Sequence, residues 1–147
     1  MSWIVKAFNE LTNEEIHEIF RLRVDVFVIE QECIYPEIDG KDPECLHLFR
    51  RINGQIIAYA RIVPPGLSYE EPSIGRVIVR KEFRGKHLGE KLVAIAIEEI
   101  QKQWPEKGIK IGAQSYLEKF YASHGFNSVS KVYLEDGIPH IDMLLSS

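Results

Sequence analysis

Residues Ile74–Gly89 read IGRVIVRKEFRGKHLG. Ile74 to Val79 is rich in β-branched residues and fits a buried strand. Arg80 to Lys86 then sets Arg80, Lys81, Arg84 and Lys86 against the single acid Glu82. From Leu88 the apolar residues fall at helical spacing, through Leu92, Ile95, Ala96 and Ile100. A strand that passes through a glycine-punctuated basic loop into a helix makes an anion site, because the first N–H groups of the helix lack partners. The macrodipole adds roughly 0.3–1 kcal/mol for a nearby anion. Taken alone, the loop also fits a solvated basic turn.

The rest of the composition excludes several classes. The 147 residues have the length of a single domain, 1–147, with enough chain to bury a core. Net charge is −4, which argues against nucleic acid as the partner, since phosphate binding wants a basic surface. No apolar run approaches the ~20 residues that cross a bilayer. The opening MSWIVKAFNE lacks a charged-then-apolar signal pattern, so the expected address is cytoplasmic. Cys33 and Cys45 lack C-x-x-C spacing, and reduced thiols are expected. The histidines are scattered, so no metal is implied.

Along the chain, Trp3 to Phe8 reads as a strand, and Thr12 with Glu15 forms a capping box that opens a helix. Ile16, Ile19, Phe20, Val24 and Phe27 continue the helical stripe, and Glu30 to Glu32 close it. Ile34 to Glu44 is a loop carrying Glu37, Asp39, Asp42 and Glu44 against Lys41. Such a loop is either a solvated surface or a lip that attracts a cationic substrate. Leu46 to Ile52 and Gln55 to Val63 form a hairpin about Asn53-Gly54, a type I′ turn. Trp104-Pro105 stops the central helix. Ile109 to Ala113 is a strand, and Tyr116 to His124 a helix capped by Gly125. Asn127 to Leu134 and His140 to Leu145 are the last strands. The order β-α-β-β-β-α-β-α-β-β predicts an α/β class, with a mixed, mostly antiparallel central sheet flanked by helices.

That order, with two motifs, resembles the GNAT N-acetyltransferase superfamily. Arg84 and Gly89 match the ends of its pyrophosphate loop, [RQ]-x-x-G-x-[GA], and Val77 and Val79 match the preceding V-x-V strand. His87 stands where the middle glycine falls, so either φ is below zero there or the loop takes another path. Residues 113–126, AQSYLEKFYASHGF, resemble N-x-x-A-x-x-[LF]-Y-x-x-x-G-F through Phe120, Tyr121, Gly125 and Phe126. Gln114 replaces the usual Asn. Leu22 to Gln31, Cys33, Tyr35-Pro36, Asp39-Gly40, Asp42, His47-Leu48 and Glu135 to His140 are similar to the ElaA-like branch, in which the middle loop glycine is commonly absent too. The resemblance covers essentially the whole chain and implies the GNAT fold.

The resemblance implies acetyl-CoA as co-substrate, no metal, and a small-molecule amine as acceptor, with the protein a monomer or homodimer. The main chain of Val77, Ile78 and Val79 would pair with the pantetheine arm like an added strand, with the Val79 N–H as oxyanion donor. Amides from Arg84 through Gly85, Lys86, His87 and Leu88 to Gly89 would cradle the pyrophosphate. Gln114 would bind the pantetheine or order a water. Tyr121 is the expected general acid for the leaving thiolate. Glu30, His47 and His140 are candidates for the base that deprotonates the amine. Tyr35, Asp39, Arg76 and His140 are candidate acceptor contacts, with a structural ion pair to a loop carboxylate the plainer role for Arg76. A non-catalytic acyl-CoA-binding or regulatory module on the same fold is the alternative.

Overall fold

The computed structural model describes residues 3–147. β1 (Ile4–Ala7) leads to α1 (Asn13–Val24). There follow β2 (Leu46–Ile52), β3 (Gln55–Val63), β4 (Ser73–Val79) and α2 (Leu88–Gln103). The chain closes with β5 (Ile109–Gln114), α3 (Glu118–Ala122), β6 (Asn127–Ser128), β7 (Tyr133–Glu135) and β8 (Ile138–Leu145). β1-β2-β3-β4 form one antiparallel sheet in that order. β8 pairs antiparallel with β5 on one edge and with β6 and β7 on the other.

Helices cover both faces of the first sheet. Leu92, Val93, Ala96 and Ile100 of α2 pack on Leu48, Ala58, Ala60, Ile62 and Ile74, and the same cluster takes in Ile109, Ile111, Ile141 and Met143 of the second sheet. The small side chains of Ala58 and Ala60 let α2 approach closely. On the other face Ile19 and Leu22 of α1 pack on Phe49, Ile56, Tyr59 and Ile78. Each fully buried Leu, Ile or Phe contributes about 1.5–3 kcal/mol.

Local signals account for the element ends. The Thr12 side chain accepts from the Glu15 N–H at 3.1 Å, and Glu15 accepts from the Thr12 N–H at 2.8 Å, the predicted reciprocal cap. Asn53 and Gly54 hold φ of 51° and 77°, as a type I′ turn requires. Asp136 and Gly137, at 52° and 77°, build the same turn between β7 and β8. Gly125 (φ 99°) closes α3 in a Schellman arrangement, with Phe126 N–H on the Tyr121 carbonyl and Gly125 N–H on that of Ala122.

Three predicted elements differ. The stripe read as one helix through Phe27 opens after Val24 into a π-helical turn, Asp25–Glu30. The helix read over Tyr116 to His124 is a 3-10 turn, Ser115–Leu117, followed by the short α3. The strand read over Asn127 to Leu134 is broken into β6 and β7, because the Ser130 hydroxyl accepts the Asp142 N–H at 2.9 Å where a ladder carbonyl would.

The feature that positions the site is the join between the sheets. The Lys110 N–H donates to the Pro72 carbonyl at 3.0 Å near the starts of β5 and β4. Beyond that point the two strands belong to different sheets, and a cleft opens between them.

Candidate active site

The cleft has a volume of about 740 Å³ and is walled by β4 from Ser73 to Val79 and by β5 from Ile111 to Gln114. Strand register shows which main-chain groups face it. The Arg80 N–H donates to the Ile57 carbonyl at 2.8 Å, and Ile78 stands opposite Tyr59. In an antiparallel pair alternate residues point their amides at the partner. Ile78 and Arg80 therefore bond to β3, and the N–H and C=O groups of Val77 and Val79 face the cleft. Of the three β4 residues read as cofactor-binding, Ile78 turns its amide into the sheet and its side chain into the α1-side core.

A bulge sets this phase. Arg61 pairs with Gly75, but Tyr59 pairs with Ile78, so Arg76 and Val77 together oppose Ala60. Arg76 holds φ 50°, a left-handed conformation that costs an L-residue about 1–2 kcal/mol. Its guanidinium turns to the Ile34–Glu44 loop. Nε donates to Glu37 Oε2 at 2.6 Å, and NH2 lies 3.4 Å from Asp39 Oδ2.

That loop is not an acidic lip. Glu37 Oε2 also accepts from Arg23 Nε at 2.8 Å, and Asp42 accepts from Arg23 NH1 at 2.6 Å. Asp39 takes both terminal nitrogens of Arg61 at 2.9 Å. Three carboxylates thus meet three guanidiniums, and Arg23, Glu37 and Asp42 are 0%, 4% and 2% exposed. Burial alone would raise Asp39 and Asp42, but the Arg61 and Arg23 bonds outweigh it and hold both below the usual carboxylate range. The negative charge expected to draw a cationic acceptor is consumed inside the protein. Arg76 takes its plainer role as a structural ion pair. Tyr35, which bonds Glu37 through its hydroxyl, and Asp39 line the cleft as part of the same network.

The three base candidates separate. His47 is fully buried and outside the cleft lining. Its Nε2–H donates to the Asp42 carbonyl at 3.0 Å, and Nδ1 accepts the Tyr59 hydroxyl at 2.6 Å. Both nitrogens are committed, so the reading of His47 as a base is corrected: it is a core histidine held neutral, its pKa lowered by burial. Glu30 does line the cleft, but Arg84 grips it bidentately at 2.8 and 3.1 Å and lowers its pKa. A carboxylate held in its charged form by an arginine is a weak proton acceptor. His140 lines the cleft with its ring stacked on Tyr133.

Tyr121 reaches the cleft from α3, its ring fixed edge-on between Phe120 and Phe126. It is 6% exposed, and burial with the nearby Tyr116 pushes its phenol up to about 12. It is protonated at neutral pH, and its hydroxyl has no hydrogen-bond partner among the described residues.

Arg84 also donates through Nε to the Val79 carbonyl at 2.8 Å, so its side chain ties the π-helical turn to the end of β4. This leaves Lys86 and the backbone amides as the loop's donors for phosphate. Gly85 to Gly89 lie outside the cleft lining, at the entry to α2. His87 takes φ 62°, so the position read as either φ below zero or a changed path is left-handed, as a glycine there would be. No side chain caps α2 at His87, and its first amides are unclaimed by a cap. Gln114 lines the cleft with Nε2 3.3 Å from Gln31 Oε1. Sequence reading missed Val26, Phe27 and Gln31, which the π-helical turn brings to the cleft. It also missed Tyr69, half-buried on the β3–β4 connection, and Tyr116, an exposed residue within the 113–126 motif but at none of its matched positions.

The comparisons bear on this geometry. The chain matches the acetyltransferase (GNAT) domain family over residues 9–147. It is 40% identical to protein ElaA of Escherichia coli over 145 residues, 97% of this chain and 95% of ElaA. The ElaA crystal structure superposes with a TM-score of 0.92, covering 97% of each chain. An acyl-CoA N-acyltransferase from Pseudomonas aeruginosa, 36% identical, superposes with a TM-score of 0.93 over 99% of this chain and 100% of that one. With a cleft opening between β4 and β5 and near-complete coverage of these relatives, the chain belongs to the GNAT acetyltransferase family, in the branch that includes ElaA.

Proposed function

We propose that the protein transfers the acetyl group of acetyl-CoA to a primary amine by direct attack while both are bound. The observation that carries this reading is the free edge of β4. Val77 offers a main-chain donor and acceptor to the cleft and Val79 its N–H, the Val79 carbonyl being taken by Arg84, and an extended amide-bearing arm could pair with them as an added strand. The uncapped start of α2 with Lys86 suits the pyrophosphate. Acetyl-CoA would supply an activated acetyl carbon and a thiolate leaving group. The Val79 N–H serves as the oxyanion donor. As the C–N bond forms and the C–S bond breaks, the electron pair of the C–S bond leaves on sulfur. The Tyr121 O–H gives its proton to that sulfur. The amine's protons pass to the base and to solvent.

Thermal unfolding with and without acetyl-CoA tests the first half of the reading. Ligand at 100 times its dissociation constant adds about 2.7 kcal/mol, a shift of several degrees at this chain length. Thiol release across a panel of primary amines tests the second half. No shift in folded protein overturns the co-substrate assignment. A shift without transfer to any amine favours a CoA-binding module instead.

A further inference from the structure

With Glu30 and His47 committed elsewhere, we propose that His140 is the general base and that Glu135 is the carboxylate that draws an ammonium acceptor to it. The inference rests on the acetyltransferase reading above and supplies its missing group.

Hydrogen bonding fixes the tautomer. His140 Nδ1 lies 2.7 Å from the Ile138 carbonyl oxygen. A carbonyl only accepts, so Nδ1 carries the proton, and in the neutral ring the lone pair sits on Nε2. Two walls hold the ring. Tyr133 stacks on it at 6.1 Å between centroids, with its own hydroxyl tied to Asp142 Oδ1 at 2.6 Å. Strand register places His140 opposite Gln114, a cleft residue on β5.

The charge on this side of the cleft is uncommitted, unlike that of the Ile34–Glu44 loop. Glu135 Oε2 stands 3.8 Å from His140 Nε2, with its side chain 61% exposed. Glu135 and Asp136 both line the cleft, and no arginine or lysine pairs with either among the described residues. The groups around the ring are Tyr133 and Glu135 on β7, Asp136 in the turn, Asp142 further along β8, and Cys33, whose Sγ–H donates to the Asp136 carbonyl. The facing residue on β5, Gln114, is uncharged. An ammonium group between Glu135 and Nε2 is held by the carboxylate and gives one proton to the imidazole. The N–H bond breaks, its electron pair stays on the amine, and an Nε2–H bond forms. The neutral amine then attacks, and the imidazolium returns its proton to solvent.

Long-range proton–nitrogen NMR on the wild-type protein reads the tautomer directly, with the ring identified by its contacts to Tyr133. The expected neutral form carries hydrogen on Nδ1, and hydrogen on Nε2 overturns the proposal. In the amine panel His140→Gln is expected to lower kcat/KM by about 10²-fold or more, with partial rescue as rising pH supplies free amine. Its acetyl-CoA dissociation constant stays within about twofold, since no proposed co-substrate contact is removed. Glu135→Gln, at an exposed position, is expected to raise KM for diamines and other cations several-fold with little change in kcat. His140→Gln with wild-type turnover and pH profile overturns the base alone. An equal response of Glu135→Gln to neutral and cationic amines overturns the ammonium assignment. Wild-type protein that binds acetyl-CoA but acetylates no amine overturns the transferase reading and this proposal with it.

Discussion

Arg76 donates through Nε to Glu37 Oε2 at 2.6 Å, and this bond joins a left-handed residue in β4 to a buried carboxylate on the Ile34–Glu44 loop. Because Arg23 shares the same oxygen, Glu37→Gln takes a counter-charge from two guanidiniums, one of which, Arg23, is fully buried. Breaking one partner of a buried pair costs about 3–5 kcal/mol. Glu44→Gln, on the same loop but exposed, should stay within about 0.5 kcal/mol of wild type. Urea unfolding of the two variants separates them, and equal midpoints would contradict the network.

Tyr121→Phe removes a hydroxyl and little else, because Phe120 and Phe126 still hold the ring. Turnover should fall by about 10²–10⁴ if the phenol protonates the leaving sulfur. Acetyl-CoA affinity, read by calorimetry, should barely change. Unchanged turnover would return Tyr121 to a packing role.

Glu30→Gln should cost much less than loss of a catalytic base. The Glu30–Arg84 pair is about two-fifths exposed on both sides, and such pairs contribute roughly 0–1 kcal/mol. A fall in kcat below about tenfold fits a tether. A loss of 10²-fold or more would restore Glu30 as the base.

His87 stands at φ 62°, in the left-handed region that histidine visits more readily than branched residues do. His87→Gly should therefore keep acetyl-CoA binding, while His87→Val should weaken it by straining the entry to α2. Titration of the co-substrate into each variant checks the order.

Acid should weaken the fold in two stages. Burial lowers the pKa of His47 below its ordinary value of 6.5, so the unfolded chain binds more protons there than the folded one. That contribution is complete above about pH 6.5 and shrinks as pH falls toward the folded value. Asp39 and Asp42 are also lowered, from 3.8, so their contribution is present above that pH and is lost as pH falls further. Urea midpoints should decline gently below about pH 6.5 and steeply below about pH 4. In His47→Gln the gentle stage should flatten.

Much of the fold was legible because its signals are local. Asn53-Gly54, the Thr12–Glu15 box and Gly125 each determine backbone geometry within a few residues, and each behaves as read. The β4 strand was legible for the same reason, as a β-branched run, but its basic loop alone also fitted a solvated turn, and it took the second motif around Phe120 and Tyr121 to weigh against that. Partnership across the chain was not legible. Glu37, Asp39 and Asp42 look like a free acidic loop until Arg23, Arg61 and Arg76 arrive from three other elements. His47 and His140 both precede apolar residues on strands, and only the fold shows that, among the described residues, both nitrogens of His47 are bonded in the core while His140 keeps Nε2 free on the cleft. The π-helical turn left no mark either, because one extra residue per turn hardly disturbs an apolar stripe.

The bulge at Arg76 and Val77 makes the site depend on one extra residue. Before it, Ser73 and Gly75 pair with β3; after it, Ile78 does, and the parity of the strand has changed. Were the bulge to flatten with the chain length kept, Val77 would stand opposite Tyr59 and every later amide would turn over, so that Val79 would face β3; deleting one bulge residue would instead leave Ile78 opposite Tyr59 and Val79 on the cleft, at the loss of the reach of Arg76 to Glu37. Side chains along β4 can drift while the cleft-facing groups, which belong to the backbone, keep their places. In evolutionary terms this strand is permissive to substitution for as long as the extra residue stays bulged out of the ladder.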